Sequence, residues 1–245
     1  MNFIRSLLHF LLMLVTVIPW ALICLIASFF LKGSRLYWFT MVWLYVAIWG
    51  AKVICGIRYQ VRGMENLPKA DNNSPIILLS KHQSTWETFA FPTIMPHPLA
   101  YVFKRELLYI PFFGWAMARL EMIHIDRSKR SEAFSLVAAR GRELMEKGNW
   151  IIMFPEGTRI PVGEAGPYKT GGTRLAIATG ASVVPIAHNA GELWPRKAFI
   201  KKPGLVTISI GKPISPQGHS PESLMLEVQQ WIEAEMRVLS PHRYT

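Results

Sequence analysis

The stretch "PIILLSKHQSTWETF", residues 75–89, joins two patterns that belong to different secondary structures. "PIILLS" is an uninterrupted apolar run of strand length, as suits a strand covered on both faces of a sheet. Ser84 with Glu87 three residues later carries the signature of a capped helix start. A buried strand that runs straight into a helix is the unit of a parallel sheet, because parallel strands need a crossover to bring the chain back. His82 falls in the turn between the two. Five helical steps separate side chains by about 140°, so His82 can meet Glu87 only by preceding the helix and folding over its first turn. A capping box alone explains Ser84 and Glu87. A capping box that also braces a histidine explains them equally well, and the stretch by itself leaves both open.

The same alternation continues outward. Strands are expected at 57–63, 99–103, 122–125, 150–154, 181–187 and 204–210, from period-two patterns or short apolar runs. Between them, Ser131 with Glu132 opens a helix to about Lys147, and 170–179 suits a shorter one. Ser220-Pro221-Glu222 supplies an N-cap, a first-turn proline and an early acid, followed by Leu224, Val228, Trp231 and Ile232 on one face. Pro92, Pro96, Pro98, Pro161, Gly163, Gly166 and Pro167 read as loop markers. The pattern predicts an α/β fold with a largely parallel sheet flanked by helices, whose chemistry gathers at the carboxyl ends of the strands.

The first fifty residues are different. Residues 6–31 carry no formal charge, and 26 helical residues span roughly 39 Å, more than a hydrocarbon core of about 30 Å. This run is too long for a signal peptide, and a second apolar segment, 36–51, follows the link Lys32-Gly33-Ser34-Arg35. We expect a membrane-associated helical hairpin at 1–56, kinked at Pro19, and one α/β domain at 57–245. Basic residues lie before the hairpin, in its turn and after it, a symmetry that favours entry and exit by one membrane face.

A formal charge of +11 points to an anionic partner: nucleic acid, an anionic bilayer or a phosphorylated substrate. No nucleic-acid-binding motif is present, whereas Trp194, Arg196, Lys197, Phe199, Lys201 and Lys202 interleave as a bilayer surface requires. Cys24 and Cys55 both sit in apolar runs and form neither a disulfide framework nor a zinc spacing, so no metal is expected.

Two more clusters end predicted strands. "NWIIMFPEGTR" (149–159) closes one with an acid, a flexible glycine and a guanidinium. "VFKRELLYIPFFG" (102–114) closes another with two cations. Taken in order, His82 with Glu87, Lys104-Arg105-Glu106-Leu107 through Ile125-Asp126-Arg127, Phe154-Pro155-Glu156-Gly157-Thr158-Arg159, and Val184-Pro185-Ile186 resemble the four blocks of the glycerolipid acyltransferases of the lysophosphatidate acyltransferase type. "YKTGG" (168–172) is similar to the segment that follows their third block, and the resemblance spans roughly 75–190. Two positions depart from the pattern. Lys81 stands where the family usually has Asn, and Glu87 where it usually has Asp.

The resemblance implies a membrane-bound enzyme that moves a fatty acyl group from a thioester, acyl-CoA or acyl-acyl carrier protein, to the sn-2 hydroxyl of 1-acylglycerol 3-phosphate. The product is phosphatidic acid. No cofactor is implied, and the catalytic domain would face the cytoplasm, at the inner membrane if the cell is bacterial. His82 would be the general base and Glu87 its brace. Lys104, Arg127 and Arg159 would grip the substrate phosphate. Glu156 would bind the glycerol backbone, and Gly157 and Thr158 would line the substrate site, with amides near Gly157 steadying the oxyanion. Another lysophospholipid or lyso-aminolipid as acceptor, and a catalytically silent lipid-binding protein, are the alternatives. A hydrolase with its own nucleophile is disfavoured, since neither G-x-S-x-G nor HExxH occurs.

Overall fold

The computed structural model describes residues 1–69, 74–125 and 130–244, with the side chains of 104, 125 and 130–133 outside the description. Two long helices come first, α1 (Asn2–Ala27) and α2 (Gly33–Val53), packed antiparallel as the short link demands. Pro19 lies inside a continuous α1. The α/β domain then runs β1 (Ile57–Arg62), β2 (Ile76–Ser80), α3 (Trp86–Ile94), β3 (Leu99–Lys104), α4 (Phe113–Met117), β4 (Ile123–Ile125), α5 (Arg130–Glu146), β5 (Trp150–Met153), α6 (Gly171–Thr179), β6 (Ser182–His188), α7 (Ala190–Leu193), β7 (Gly204–Ile210) and α8 (Pro221–Leu239). The seven strands lie in the order β1-β7-β6-β2-β5-β3-β4, and every neighbouring pair is parallel except β6 with β7.

β2 sits near the centre, between β6 and β5, with Leu79 level with Pro185 and Met153. All five of its residues are buried, as its unbroken apolar run requires. The capping motif of α8 forms as expected: Ser220 Oγ accepts from the Ser223 amide, and Ser223 Oγ accepts from the Ser220 amide. Leu224, Val228, Ile232 and Met236 lie fully buried on its inner face, each contributing about 1.5–3 kcal/mol.

Pro92 corrects an expectation. It lies inside α3 and not in a loop. Its ring removes the N–H that would bond the Thr88 carbonyl four residues back. The Tyr101 hydroxyl donates to that carbonyl at 3.1 Å, so a neighbouring strand supplies the missing donor.

The hairpin shares the domain's core. Tyr37, Met41, Ile48 and Ala51 of α2 pack in one cluster with Trp86 and Phe91 of α3 and with residues of β2 and β5. By contrast α1 turns an apolar stripe outward, including Leu7, Leu11, Leu14, Ile18 and Leu22. Both helices are long and apolar enough to cross a membrane.

The segment expected to face a bilayer, 194–204, is divided. Trp194 is buried, with Lys201 Nζ 4.4 Å from its ring centre, and Phe199 packs against Phe3 and Phe10 of α1. The Lys201 amide donates to Ser6 Oγ at 2.8 Å. The loop thus docks α1 through Trp194 and Lys201 while Lys197, Phe199, Ile200 and Lys202 stay exposed.

Candidate active site

Because β2, β5, β3 and β6 are mutually parallel, their carboxyl ends share one edge, and the turns that follow them face each other there. His82 follows β2 and lies in the turn before α3. Its Nδ1 bonds Glu87 Oε1 at 2.9 Å, and its ring stacks on Phe154, which follows β5, at 3.9 Å and 18°. Both readings of the opening stretch therefore hold. The same Glu87 oxygen also accepts the Gln83 and Ser84 amides at 3.0 and 2.8 Å. The cap differs in one detail: Ser84 Oγ accepts from the Trp86 amide instead of the Glu87 amide.

Glu87 is fully buried. Burial opposes its charge, but buried His188, the bonded His82 and the Ser84 amide hold its carboxyl below the ordinary glutamate value. A carboxylate at Nδ1 fixes the imidazole with its proton on that nitrogen, which leaves Nε2 as the acceptor. Burial pushes the His188 imidazole below its ordinary value, against the opposing pull of the Glu87 carboxyl and the Lys81 carbonyl. Its Nε2–H donates to the Lys81 carbonyl at 2.9 Å, and its Nδ1 accepts the Ala190 amide.

His82 opens into a cavity of about 920 Å³. One end is cationic, lined by Arg159, Lys169, Arg196 and Lys197; the rest is apolar, with Trp20 and Ala21 from α1, Met41 and Trp43 from α2, and Phe89 and Ala116 from the domain. Arg159 is half-buried, its carbonyl accepts from Arg196 Nη1, and its own Nε is buried without a hydrogen-bond partner. Arg159 and Thr158 thus share a cavity with His82, as expected. The Lys104 side chain and all of Arg127 lie outside the described residues.

Two residues with expected roles lie differently from the rest. Glu156 is buried away from this cavity: its Oε1 accepts from Lys81 Nζ at 2.7 Å and its Oε2 from the His82 amide at 2.9 Å. It is not among the residues that line the cavity, so in this geometry it does not face a substrate there. The Gly157 amide itself donates to the Phe154 carbonyl at 2.9 Å and closes the turn, which leaves an oxyanion to the other amides near it. Gly157 itself is required. Its φ is +68°, and a Cβ there would come within 2.9 Å of Lys169 Nζ.

Lys169, Arg196 and Lys197 were missed as cavity residues. Lys169 carried a signal, since it lies in the "YKTGG" segment. Arg196 enters through a bridge between Pro195 and Ser84, which nothing local foretells.

The domain, its strand-end histidine braced by a carboxylate and the guanidinium beside it define an acyltransferase site. The chain belongs to the Acyltransferase family, whose model matches residues 58–189, more than half its length. It is 43% identical over 242 residues to a 1-acyl-sn-glycerol-3-phosphate acyltransferase of Pseudomonas aeruginosa, covering 97% of this chain and 92% of that one. It is 35% identical over 170 residues to the protein of that name from Saccharomyces cerevisiae, covering 68% of this chain and 54% of the yeast protein. The crystal structure of the 1-acyl-sn-glycerophosphate acyltransferase of Thermotoga maritima has the same fold, with a TM-score of 0.80 at 24% identity over 98% of this chain and 96% of that one.

Glu87→Gln isolates the carboxylate's charge from its shape. We expect kcat to fall roughly 10²-fold, because a neutral amide does not stabilise the imidazolium. Folding holds the Glu87 carboxyl below 4.5, so its contribution to stability is complete above that pH and is lost as pH falls through the folded value. Thermal unfolding followed from pH 7 downward should therefore show a flatter acid limb in the variant, and an unchanged acid limb would contradict the buried carboxylate.

Proposed function

We propose that this protein transfers a fatty acyl group from a thioester to the sn-2 hydroxyl of 1-acylglycerol 3-phosphate, giving phosphatidic acid. The observation that carries the reading is the joint occupation of one cavity by His82 and Arg159, with an apolar extension behind them. An acid-braced imidazole, an anion-seeking guanidinium and a greasy chamber match the three parts of the acceptor: hydroxyl, phosphate and chain.

In this mechanism neutral His82 takes the hydroxyl proton at Nε2 as the oxygen attacks the thioester carbonyl. Glu87 stabilises the imidazolium that forms. Collapse of the tetrahedral intermediate breaks the C–S bond, and the imidazolium returns the proton to the departing sulfur. The substrate supplies the nucleophile, so no acyl-enzyme is required. Acyl-CoA or an acyl-acyl carrier protein is the donor class, and no further cofactor enters the scheme. Because such donors are cytosolic, the site faces the cytoplasm, on an inner membrane in a bacterium. The outward stripe of α1 supports insertion of the hairpin into lipid.

The test is radiolabelled transfer by the purified protein in lipid, with lysophosphatidate set against other lysophospholipids and both donor types. Cleavage of the thioester without an acceptor would favour a hydrolase, and lipid binding without transfer a silent binder. A related prediction concerns the chamber. Ala116 lines it at 9% exposure beside Ala21 and Cys24. Ala116→Phe should cut turnover of the longest acyl chains about tenfold or more while sparing short ones, as read from a chain-length series. An unchanged series would remove the chain from this part of the cavity.

A further inference from the structure

We infer that Lys81 and Glu156 form a buried electrostatic mount that sets the position of the His82 main chain, so that both serve the reaction as positioning residues and neither touches substrate. The inference rests on His82 being the base and adds to that site.

Adjacent along the chain, Lys81 and His82 point to opposite sides of the turn. The imidazole meets the cavity, whereas the Lys81 side chain is fully buried on the far side. There its ammonium donates to Glu156 Oε1 at 2.7 Å, to Glu233 Oε1 at 2.8 Å and to the Glu164 carbonyl at 3.1 Å. The rings of Tyr168 and Tyr244 flank it, each centred 5.9 Å away. The Tyr168 hydroxyl donates to the same Glu233 oxygen at 2.7 Å. Burial opposes the Lys81 charge, but Glu156 and Glu233 outweigh it and raise the ammonium above its ordinary value. The Lys81 ammonium thus stands between the carboxyl groups of Glu156 and Glu233 and bridges them.

Glu156 is the link to the chemistry. One of its oxygens is held by Lys81 and the other holds the His82 amide, so the ammonium fixes the height at which the histidine leaves β2. The His82 carbonyl is tied in turn by the Ile160 amide at 2.8 Å. Both backbone groups of the base are thus bonded to the turn that carries Arg159, which couples the imidazole to the phosphate-seeking guanidinium. Neither Lys81 nor Glu156 lines the cavity.

The test uses an isosteric pair of changes in the full-length protein. Glu156→Gln preserves shape but converts one acceptor into a donor. With Lys81 present, the amide oxygen turns to the ammonium and the NH₂ faces the His82 amide, so that bond is lost. We expect kcat to fall about 10- to 100-fold with KM for lysophosphatidate within about twofold of the parent. Adding Lys81→Met removes the cation that holds the amide oxygen and frees the amide to reverse, its oxygen accepting from the His82 amide. The double variant should be about tenfold faster than Glu156→Gln alone, where independent damage would make it slower. Hydrogen exchange in fragments covering residues 80–84 should quicken in Glu156→Gln and slow again in the double variant.

A rise in KM for lysophosphatidate with kcat retained would make Glu156 a substrate ligand and overturn the mount. So would a double variant slower than Glu156→Gln, or exchange that Glu156→Gln leaves unchanged. Absence of transfer by the parent protein would count against the enzymatic reading alone. The exchange measurement, which needs no turnover, then decides the mount.

Discussion

His82→Ala should abolish acyl transfer while leaving the protein folded and bound to lipid. General-base help is worth about 10²–10⁴-fold, and nothing else in the described cavity offers an acceptor nitrogen with a fixed tautomer. The loss should appear in kcat for every acceptor, since each must surrender its hydroxyl proton. Stability should change little. Glu87 keeps the Gln83 and Ser84 amides as donors when the imidazole is gone, so the start of α3 stays capped. The ring is also partly open to the cavity, at 14% exposure, so its removal leaves no sealed void. The measurement is labelled transfer in vesicles together with thermal unfolding. Parent-like turnover from a folded variant would end the base assignment, and loss of turnover through unfolding would show up in the melt.

The second large effect belongs to Arg159. Its Nε is buried with no hydrogen-bond partner, and an unmet buried donor costs about 1–3 kcal/mol. An arriving phosphate would relieve that cost and add charge-assisted bonds of about 1.5–3 kcal/mol each. Arg159→Ala should therefore lower kcat/KM for lysophosphatidate by about 10²- to 10⁴-fold, at about 1.4 kcal/mol per tenfold. A monoacylglycerol, which has the hydroxyl and chain but no phosphate, should be used about as well by variant and parent. Arg159→Lys should fall between, because an ammonium offers a point charge and no fork. Equal loss on charged and neutral acceptors would take the phosphate away from Arg159.

These expectations draw on two kinds of information. Every strand range read from the sequence lies within about two residues of an observed one, because strands buried in a parallel sheet must be apolar throughout and their ends are marked by turn residues. α8 was equally legible, through its cap and its apolar face. Pro92 was not, because a helix tolerates proline when an outside donor takes the orphaned carbonyl, and Tyr101 lies in another element. The pairing of His82 with Glu87 was readable as a possibility, since a residue in the turn before a helix can fold over its first turn. The inward turn of Glu156 was not, since its partners, the Lys81 ammonium and the His82 amide, stand 75 and 74 positions away.

The sequence by itself determined the class of fold and the apolar hairpin, and made a contact between His82 and Glu87 possible, because these depend on local periodicity and on contacts spanning a few residues. Tertiary structure alone decided which cations face that imidazole and which acid stands behind it. Arg196 and Lys169 reach the cavity, and Glu156 is withdrawn from it, through the crossing of loops that follow β5, β6 and β2. The direction of a loop side chain is set by what the assembled sheet edge brings beside it, and no pattern along the chain encodes that neighbour.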